Sequence, residues 1–167
     1  KPEGMPLMWV CGGALFVKKE NYDMVGGFDP IYAPFYVEDL DLCYKGWKRG
    51  LRSVYTQSAL CHHQHQSTIG TYFTKSYVEQ VHLRNQFIFM WLNITSKWML
   101  FQHVFCLLIM CLTFQVRHAR AIIKAVMKLP EIRKKRRQRG PEHQSDARIL
   151  RHWKPFVRQL LKARRKK

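Results

Sequence analysis

Three carboxylates stand close together in the first half of the chain. Glu38, Asp39 and Asp41 follow a loop and open a segment in which apolar residues recur at helical spacing. Acidic residues in the first turn of a helix stabilise it through the free N–H groups and the helix dipole, by about 0.3–1 kcal/mol each. A carboxylate in such a position can also take a proton from a hydroxyl group while the hydroxyl oxygen attacks an electrophile. The spacing alone leaves a helix-stabilising role and a general-base role open.

A histidine-rich stretch is the second group that could do chemistry. Its sequence is Cys61-His62-His63-Gln64-His65. A zinc site needs further ligands at defined spacing, and the chain has no second Cys/His pair of that kind, so zinc is disfavoured. Two other interpretations remain: exposed imidazoles at the end of a strand, or one neutral imidazole that completes the coordination of an oxygen-liganded divalent metal.

The residues around these groups predict an α/β arrangement. Residues 7–18 are apolar with a glycine pair in the middle, which predicts a buried strand that another group approaches closely. The other predicted elements are a short helix over 19–23, a turn over 26–30, a helix over 38–49, a strand over 51–61 and a helix over 74–92. This pattern has too few strands to close a sheet by itself.

Composition separates the two halves of the chain. The 167 residues are 47% hydrophobic and 13% aromatic, which excludes a chain disordered throughout. Their net charge is +18. Residues 1–80 have 8 basic and 8 acidic side chains, whereas residues 81–167 have 21 basic and 3 acidic ones. The first half therefore has the charge balance of an ordinary soluble fold, and the second half is suited to an anionic surface.

Cysteine usage and the start of the chain give two further expectations. The five cysteines are scattered, odd in number and form no C-x-x-C pair, which disfavours a disulfide scaffold and favours a reducing compartment. The chain starts Lys1-Pro2 and reaches an apolar run within a few residues. We expect it to be a piece of a longer protein.

Five short segments, in order and with similar spacing, resemble the C-terminal half of family 2 glycosyltransferases, most of all the rhamnosyltransferase-like branch. They cover residues 12–17, 25–29, 38–43, 50–55 and 59–62, and Arg84-Asn85 follows in the next predicted helix. The resemblance extends over about residues 7–95. It implies that residues 1–95 are the C-terminal, acceptor-side part of a GT-A domain, an α/β fold that binds a nucleotide. The implied reaction transfers a sugar from a nucleotide-diphosphate sugar to a hydroxyl of a polysaccharide or lipid-linked glycan, with inversion.

The resemblance also implies roles for individual residues. Asp39 would be the catalytic base that deprotonates the acceptor hydroxyl, and Glu38 would bind substrate on the acceptor side or hold Asp39 in place. Gly12 and Gly13 would lie against the donor sugar. His62 would face a metal ion and the diphosphate. A base on one face of the sugar and a cation site on the other is what such a transfer requires.

Other parts of the family pattern are missing or ambiguous. His63 competes with His62 for the metal-facing role, and Asp41 is expected to be an exposed, structural helix residue. The implied cofactor is a divalent metal, Mg²⁺ or Mn²⁺, bound mainly by an Asp-x-Asp motif in the N-terminal half. The only Asp-x-Asp here is Asp39-Leu40-Asp41, which belongs to the base motif. We therefore expect this fragment to be inactive without the nucleotide-binding half.

Residues 96–167 are predicted to form a mainly helical, basic extension. Residues 98–116 contain no Lys, Arg, Asp or Glu. In the amphipathic stretch that follows, the basic stripe is Arg117, Arg120, Lys124 and Lys128, and the apolar stripe is Ala119, Ile122, Ile123, Val126 and Leu129. The sequence continues with Pro130, a basic block over 133–137 and a last helical segment over 145–163.

This extension allows several functions. A membrane-spanning helix over 98–116 is borderline for a hydrocarbon core of about 30 Å, and the positive-inside rule would place residues 1–80 away from cytoplasmic nucleotide sugars. An interfacial helix on an anionic membrane is favoured, with the protein cytoplasmic and peripheral to the inner face of the plasma membrane. A buried helical extension with a solvated basic tail is a close second. Nucleic-acid binding is disfavoured because the aromatic residues are not interleaved with the basic block. The alternative function is a non-catalytic membrane- or nucleic-acid-binding module.

Overall fold

The computed structural model of the chain describes residues 3–62, 69–112 and 116–152, which are mostly helical. In chain order the elements are β1 (Pro6–Leu7), α1 (Lys19–Val25), α2 (Glu38–Lys48), β2 (Ser53–Val54), α3 (Ile69–Tyr72), α4 (Lys75–Asn93), α5 (Lys97–Leu112), α6 (Val116–Val126) and α7 (Leu129–Gln138). Single 3₁₀ turns cover Gly12–Ala14 and Pro30–Tyr32. Residues 146–152 are also helical, and the rest of the segment predicted to be helical up to 163 lies outside the described residues.

The strands are much shorter than predicted. β1 and β2 have two residues each and pair antiparallel, with Pro6 opposite Val54 and Leu7 opposite Ser53. The prediction of a buried strand over 7–18 is wrong, because residues 12–14 form a 3₁₀ turn and Phe16 is 99% exposed. An apolar run becomes a buried strand only where neighbouring strands pair with it, and in the described part of the chain β2 is the one partner. The GT-A half-fold stays a prediction.

The predicted helices of the first half are confirmed. α1 ends at Gly26, whose left-handed backbone (φ 84°) lets its N–H reach the carbonyls of Tyr22 and Asp23. α2 starts at Glu38, and its acidic first turn is followed by Lys45 and Lys48 in the last turn. Thr74 caps α4 by accepting a hydrogen bond from the N–H of Tyr77. These boundaries follow from local residue types, which is why the sequence predicts them.

The largest core cluster surrounds α4, which packs against α6 and α7. Its buried members are Ile31, Tyr32, Val37, Phe87, Ile88, Leu92, Ala121, Ala125 and Ile132. Ala121 and Ala125 form the buried side of α6 and allow its backbone to approach α4 closely. Of the apolar stripe identified in the sequence, Ile122 and Leu129 pack against this core, whereas Ile123 is 60% exposed and Val126 is exposed as well.

A second core cluster joins the end of the described chain to α2. Tyr44, Trp47, Ile94 and Ile149 are its buried members. At its edge the buried carboxylate of Asp146 accepts hydrogen bonds from the Tyr44 hydroxyl at 2.6 Å and from the N–H of Ser96 at 2.6 Å. Residues on both sides of the predicted domain boundary at 95/96 thus contribute to one core, and the boundary itself stays a prediction.

The basic block of α7 is only partly at the surface. Arg136 donates from Nη1 to the carbonyls of Trp91 at 2.7 Å and Ile94 at 2.9 Å, at the C-terminal end of α4. Lys135 pairs with Asp29 at 2.9 Å. The exposed cations of this block are Arg133, Lys134 and Arg137. Some of the cations that the sequence suggested for an anionic surface are therefore engaged in contacts within the chain.

Among the described residues, no helix is both long enough and apolar enough to cross a membrane. α5, the most apolar helix, has 16 residues.

Candidate active site

Asp39 lies in the first turn of α2, and its side chain is partly exposed. Its Oδ2 accepts a hydrogen bond from the backbone N–H of Gly12 at 3.0 Å, and its Oδ1 accepts one from the N–H of Leu40 at 2.7 Å. Each carboxylate oxygen has two lone pairs, so each can accept one more proton donor. The carboxylate is held in one orientation and can still bind an incoming hydroxyl.

The glycine pair and the start of the histidine-rich stretch lie beside this carboxylate. A Cβ atom added to Gly12 would be 3.6 Å from the Cβ of Asp39. The thiol of Cys61 donates to the carbonyl of Gly13 at 3.0 Å, and His62 follows as an exposed residue. The structure thus brings Gly12 into contact with Asp39, and His62 directly follows the residue that contacts Gly13. His63 lies outside the described residues.

Glu38 differs from Asp39 in its surroundings. Its Oε2 is buried and has no hydrogen-bond partner in the described parts of the chain. Burial raises the pKa of Glu38, a backbone hydrogen bond within the residue lowers it, and the negative charge of Asp39 raises it further, so that the net shift is upward. A carboxyl group whose pKa is moved towards neutrality is better suited to exchanging protons. Glu38 is therefore a second candidate for proton transfer.

The loop before α2 has an unusual backbone. Tyr36 and Val37 both have positive φ, 71° and 79°, a region that side-chain-bearing residues rarely adopt. Val37 directly precedes Glu38 and provides no side-chain cap for the helix. Such conformations cost on the order of 1–3 kcal/mol each and persist only where the surrounding structure imposes them.

Asn85 of α4 provides that restraint. It is fully buried, and its Nδ2 lies 2.6 Å from the carbonyl oxygen of Tyr32 and 2.9 Å from those of Phe35 and Tyr36. Its two N–H groups are thus shared among three carbonyls of the loop that leads into α2. One amide side chain therefore fixes the path of the chain into Glu38 and Asp39.

Arg84 extends this restraint. Its Nη2 donates to the carbonyl of Ala33, and its Nε donates to Oδ1 of Asn85 at 2.9 Å. The guanidinium thereby also fixes the orientation of the Asn85 amide. The sequence placed Arg84-Asn85 among the residues that resemble the family but did not indicate a contact with the loop.

Asp41 is fully buried, which corrects the prediction of an exposed residue. Its Oδ1 accepts hydrogen bonds from the Tyr32 hydroxyl at 2.8 Å and from Nδ2 of Asn93 at 2.6 Å, and its Oδ2 lies 2.9 Å from Nζ of Lys45. Burial, together with the negative charge of Asp41, raises the pKa of Tyr32. Asp39 and Asp41 therefore differ in exposure, because α2 turns Asp41 towards Asn93 of α4 and leaves Asp39 partly exposed.

The residues described by the structure do not form a group of three His, Cys, Asp or Glu side chains that could hold a metal ion. His62 offers one imidazole, and a metal bound there would need its other ligands from outside this set. The metal-facing role of His62 thus stays a prediction, and no chemical step below depends on it.

The chain matches a curated enzyme over part of its length. N-acetylglucosaminyl-diphospho-decaprenol L-rhamnosyltransferase of Mycobacterium tuberculosis, from strain CDC 1551 / Oshkosh and from strain ATCC 25618 / H37Rv, is 41% identical over 69 residues. The match includes 41% of this chain and spans only 22% of the length of that enzyme. No family model matches the chain. No solved structure matches it either. The chain has a partial, distant homologue that is a glycosyltransferase.

Proposed function

We propose that this chain is the acceptor-side part of an inverting family 2 glycosyltransferase in which Asp39 is the general base. The observation that carries the proposal is the carboxylate of Asp39, held by the N–H of Gly12 at the start of α2 while its side chain remains accessible. The partial identity with a rhamnosyltransferase supports sugar transfer as the class of reaction.

The proposed step moves one proton to Asp39. The carboxylate accepts the proton of the acceptor hydroxyl while that oxygen forms a bond to the anomeric carbon of the donor. The bond between this carbon and the diphosphate oxygen breaks, and the nucleoside diphosphate leaves with the electron pair. Attack on the face opposite the leaving group inverts the anomeric centre. His62 would contribute one ligand to a Mg²⁺ or Mn²⁺ ion held mainly by another part of the protein, and such an ion would supply counter-charge for the diphosphate. The proton transfer to Asp39 does not depend on it.

We infer the proposed substrates from the name of the similar rhamnosyltransferase. The donor would be a nucleotide-diphosphate L-rhamnose, and the acceptor would be an N-acetylglucosaminyl-diphospho-polyprenol. Because the match spans only 22% of that enzyme, we propose that the 167-residue chain transfers no sugar by itself and requires a nucleotide-binding part. Turnover by the chain alone would contradict this.

The test is the substitution Asp39→Asn in the complete protein that contains this chain. It removes the base with almost no change in volume, so transfer of radiolabelled rhamnose to the lipid-linked acceptor should fall by about 10²–10⁴-fold. The matched control is Asp23→Asn, an exposed carboxylate on α1 paired with Lys19, which should leave the rate unchanged.

A second variant separates the two carboxyl groups of the site. If Asp39→Asn retains activity and Glu38→Gln abolishes it, the base is Glu38 and the assignment of Asp39 is wrong. If both variants retain activity, the proposed function fails.

A further inference from the structure

α5 leaves an unusually wide apolar surface uncovered. Its inward side chains are Met99, Leu100, His103, Leu107 and Met110, which are partly buried. At 100° per residue, the large apolar side chains among the remaining positions span an arc of about 140°, and the exposed Gln102 and Cys106 extend the outward side to about 200°. The exposed large apolar side chains on this arc are Trp98, Phe101, Val104, Phe105, Leu108 and Ile109. In soluble monomers, contiguous apolar surfaces of this kind mark binding sites.

α6 follows α5 in the chain, contacts it and has exposed cations of its own. Arg120, Ile123, Lys124 and Met127 follow one another at spacings of three, one and three residues, and all four are exposed. They therefore share one side of the helix, opposite the buried Ala121 and Ala125. We name the α5 arc and these four residues together the outer face.

The charges on the outer face have one sign. Residues 97–126 contain no Asp or Glu, and Lys97, Arg120 and Lys124 are exposed. A bilayer that contains anionic lipid is complementary to both features at once, because its acyl region takes up apolar side chains and its headgroup phosphates attract cations. Aromatic residues such as Trp98 favour the boundary between these two regions.

We infer that the outer face lies on the surface of an anionic lipid bilayer. The apolar side chains of α5 enter the boundary between headgroups and acyl chains, and Arg120 and Lys124 contact headgroup phosphates. This inference rests on exposure and charge and does not depend on the proposed sugar transfer. The two can therefore fail separately.

Flotation of the 167-residue chain with vesicles tests the inference. The chain should float with vesicles of phosphatidylcholine and phosphatidylglycerol, and much less with phosphatidylcholine alone. Raising the salt concentration should weaken the binding, because salt screens the attraction between the cations and the headgroups. Arg120→Gln with Lys124→Gln should weaken binding to the anionic vesicles at low salt.

Substitutions on the apolar arc locate the contact. Phe101→Gln with Phe105→Gln should reduce the bound fraction by about tenfold or more, because both side chains are more than half exposed and their apolar rings supply the insertion. The matched control is Phe16→Gln with Leu60→Gln, two side chains that are 99% and 84% exposed and lie outside the outer face. The control should float like the unsubstituted chain. Circular dichroism of each variant checks that the helices are retained, and each single substitution serves if a double variant does not fold.

Four results would overturn the inference. They are no flotation with anionic vesicles, equal flotation of the Phe101/Phe105 variant and the unsubstituted chain, a dimer in solution that these substitutions abolish while vesicles do not bind, and salt-sensitive retention on duplex DNA in place of vesicle binding. The third result would assign the outer face to a second copy of the chain.

Discussion

The backbone N–H of Gly12 donates a hydrogen bond to Oδ2 of Asp39 across 27 residues of sequence. This contact joins the glycine pair to the acidic helix without a side chain on the glycine. Orientation of a catalytic group matters because a displacement of about 1 Å can cost about 10²-fold in rate. Gly12 is therefore a positioning residue for the proposed base.

Gly12→Pro should remove the hydrogen bond and displace the carboxylate of Asp39. Gly12 is the first residue of a 3₁₀ turn, and Cys11 before it has φ −58° and ψ 132°, a conformation that proline tolerates. The ring carbon on the nitrogen takes the place of the hydrogen that Asp39 binds. We expect the complete enzyme to lose about 10–100-fold in kcat, measured by transfer of radiolabelled sugar.

Gly12→Ala is the control for this variant. It keeps the N–H, and its Cβ would make an ordinary contact at 3.6 Å with the Cβ of Asp39. Its kcat should fall far less than that of the proline variant, because the hydrogen bond to Asp39 is retained. Equal rates for the proline and alanine variants would show that the hydrogen bond has no part in positioning the base.

Asn85→Asp should destabilise the chain. The substitution preserves size but replaces two N–H donors with an acceptor that faces the carbonyls of Tyr32, Phe35 and Tyr36. We expect a loss of about 2–4 kcal/mol in the free energy of unfolding, measured in urea. Gln86→Glu makes the same chemical change at the next, exposed position and should change stability by less than about 0.5 kcal/mol. Similar losses in both variants would contradict the role of Asn85 in holding the loop.

Glu38→Gln should stabilise the fold at neutral pH. Because the folded state raises the pKa of Glu38, chiefly through burial, ionised Glu38 opposes folding at pH values above its unfolded pKa of about 4.3. Removing the charge should add on the order of 0.5 kcal/mol at pH 7, and this gain should disappear below about pH 4. Denaturant unfolding between pH 7 and pH 4 measures it. A variant less stable than the parent at pH 7 would show that the carboxylate makes a favourable contact instead.

Asp146→Asn should have the opposite dependence on pH. Burial alone raises the pKa of Asp146, but hydrogen bonds from Lys48, Tyr44 and the N–H groups of Ser96 and Thr95 outweigh it and lower the pKa. The stabilising contribution is therefore complete above the unfolded pKa of about 3.9 and is lost as the pH falls through the lower folded pKa.

The expected cost of Asp146→Asn at pH 7 is about 3–5 kcal/mol, because the substitution leaves the charge of Lys48 buried with one partner fewer. The difference from the unsubstituted chain should shrink as the pH is lowered below about 4 in denaturant titrations. Asp23→Asn, which breaks an exposed pair with Lys19, should cost about 1 kcal/mol or less at every pH. A cost at Asp146 that does not change with pH would show that its charge is unimportant.

Several parts of the fold follow from the sequence alone. The boundaries of α1, α2 and α4 depend on residues within one turn of each end, such as Gly26 after α1 and Thr74 before α4. The acidic motif at 38–41, the glycine pair and the resemblance to glycosyltransferases are also readable without coordinates, and the partial homologue agrees with that class. Such features are local, so neighbouring residue types determine them.

Only the tertiary structure decided how these features are used. Asp39 and Asp41 are two residues apart, yet one accepts a hydrogen bond from Gly12 at the surface and the other is buried against Tyr32 and Asn93. Several decisive contacts join residues that are far apart in sequence. They are the pairing of the two short strands, the hydrogen bonds from Asn85 to the loop before α2, and the hydrogen bond between Tyr44 and Asp146. The spacing of apolar residues in the sequence shows which of them share a side of a helix. Which other segment packs against that side depends on residues far away in the sequence.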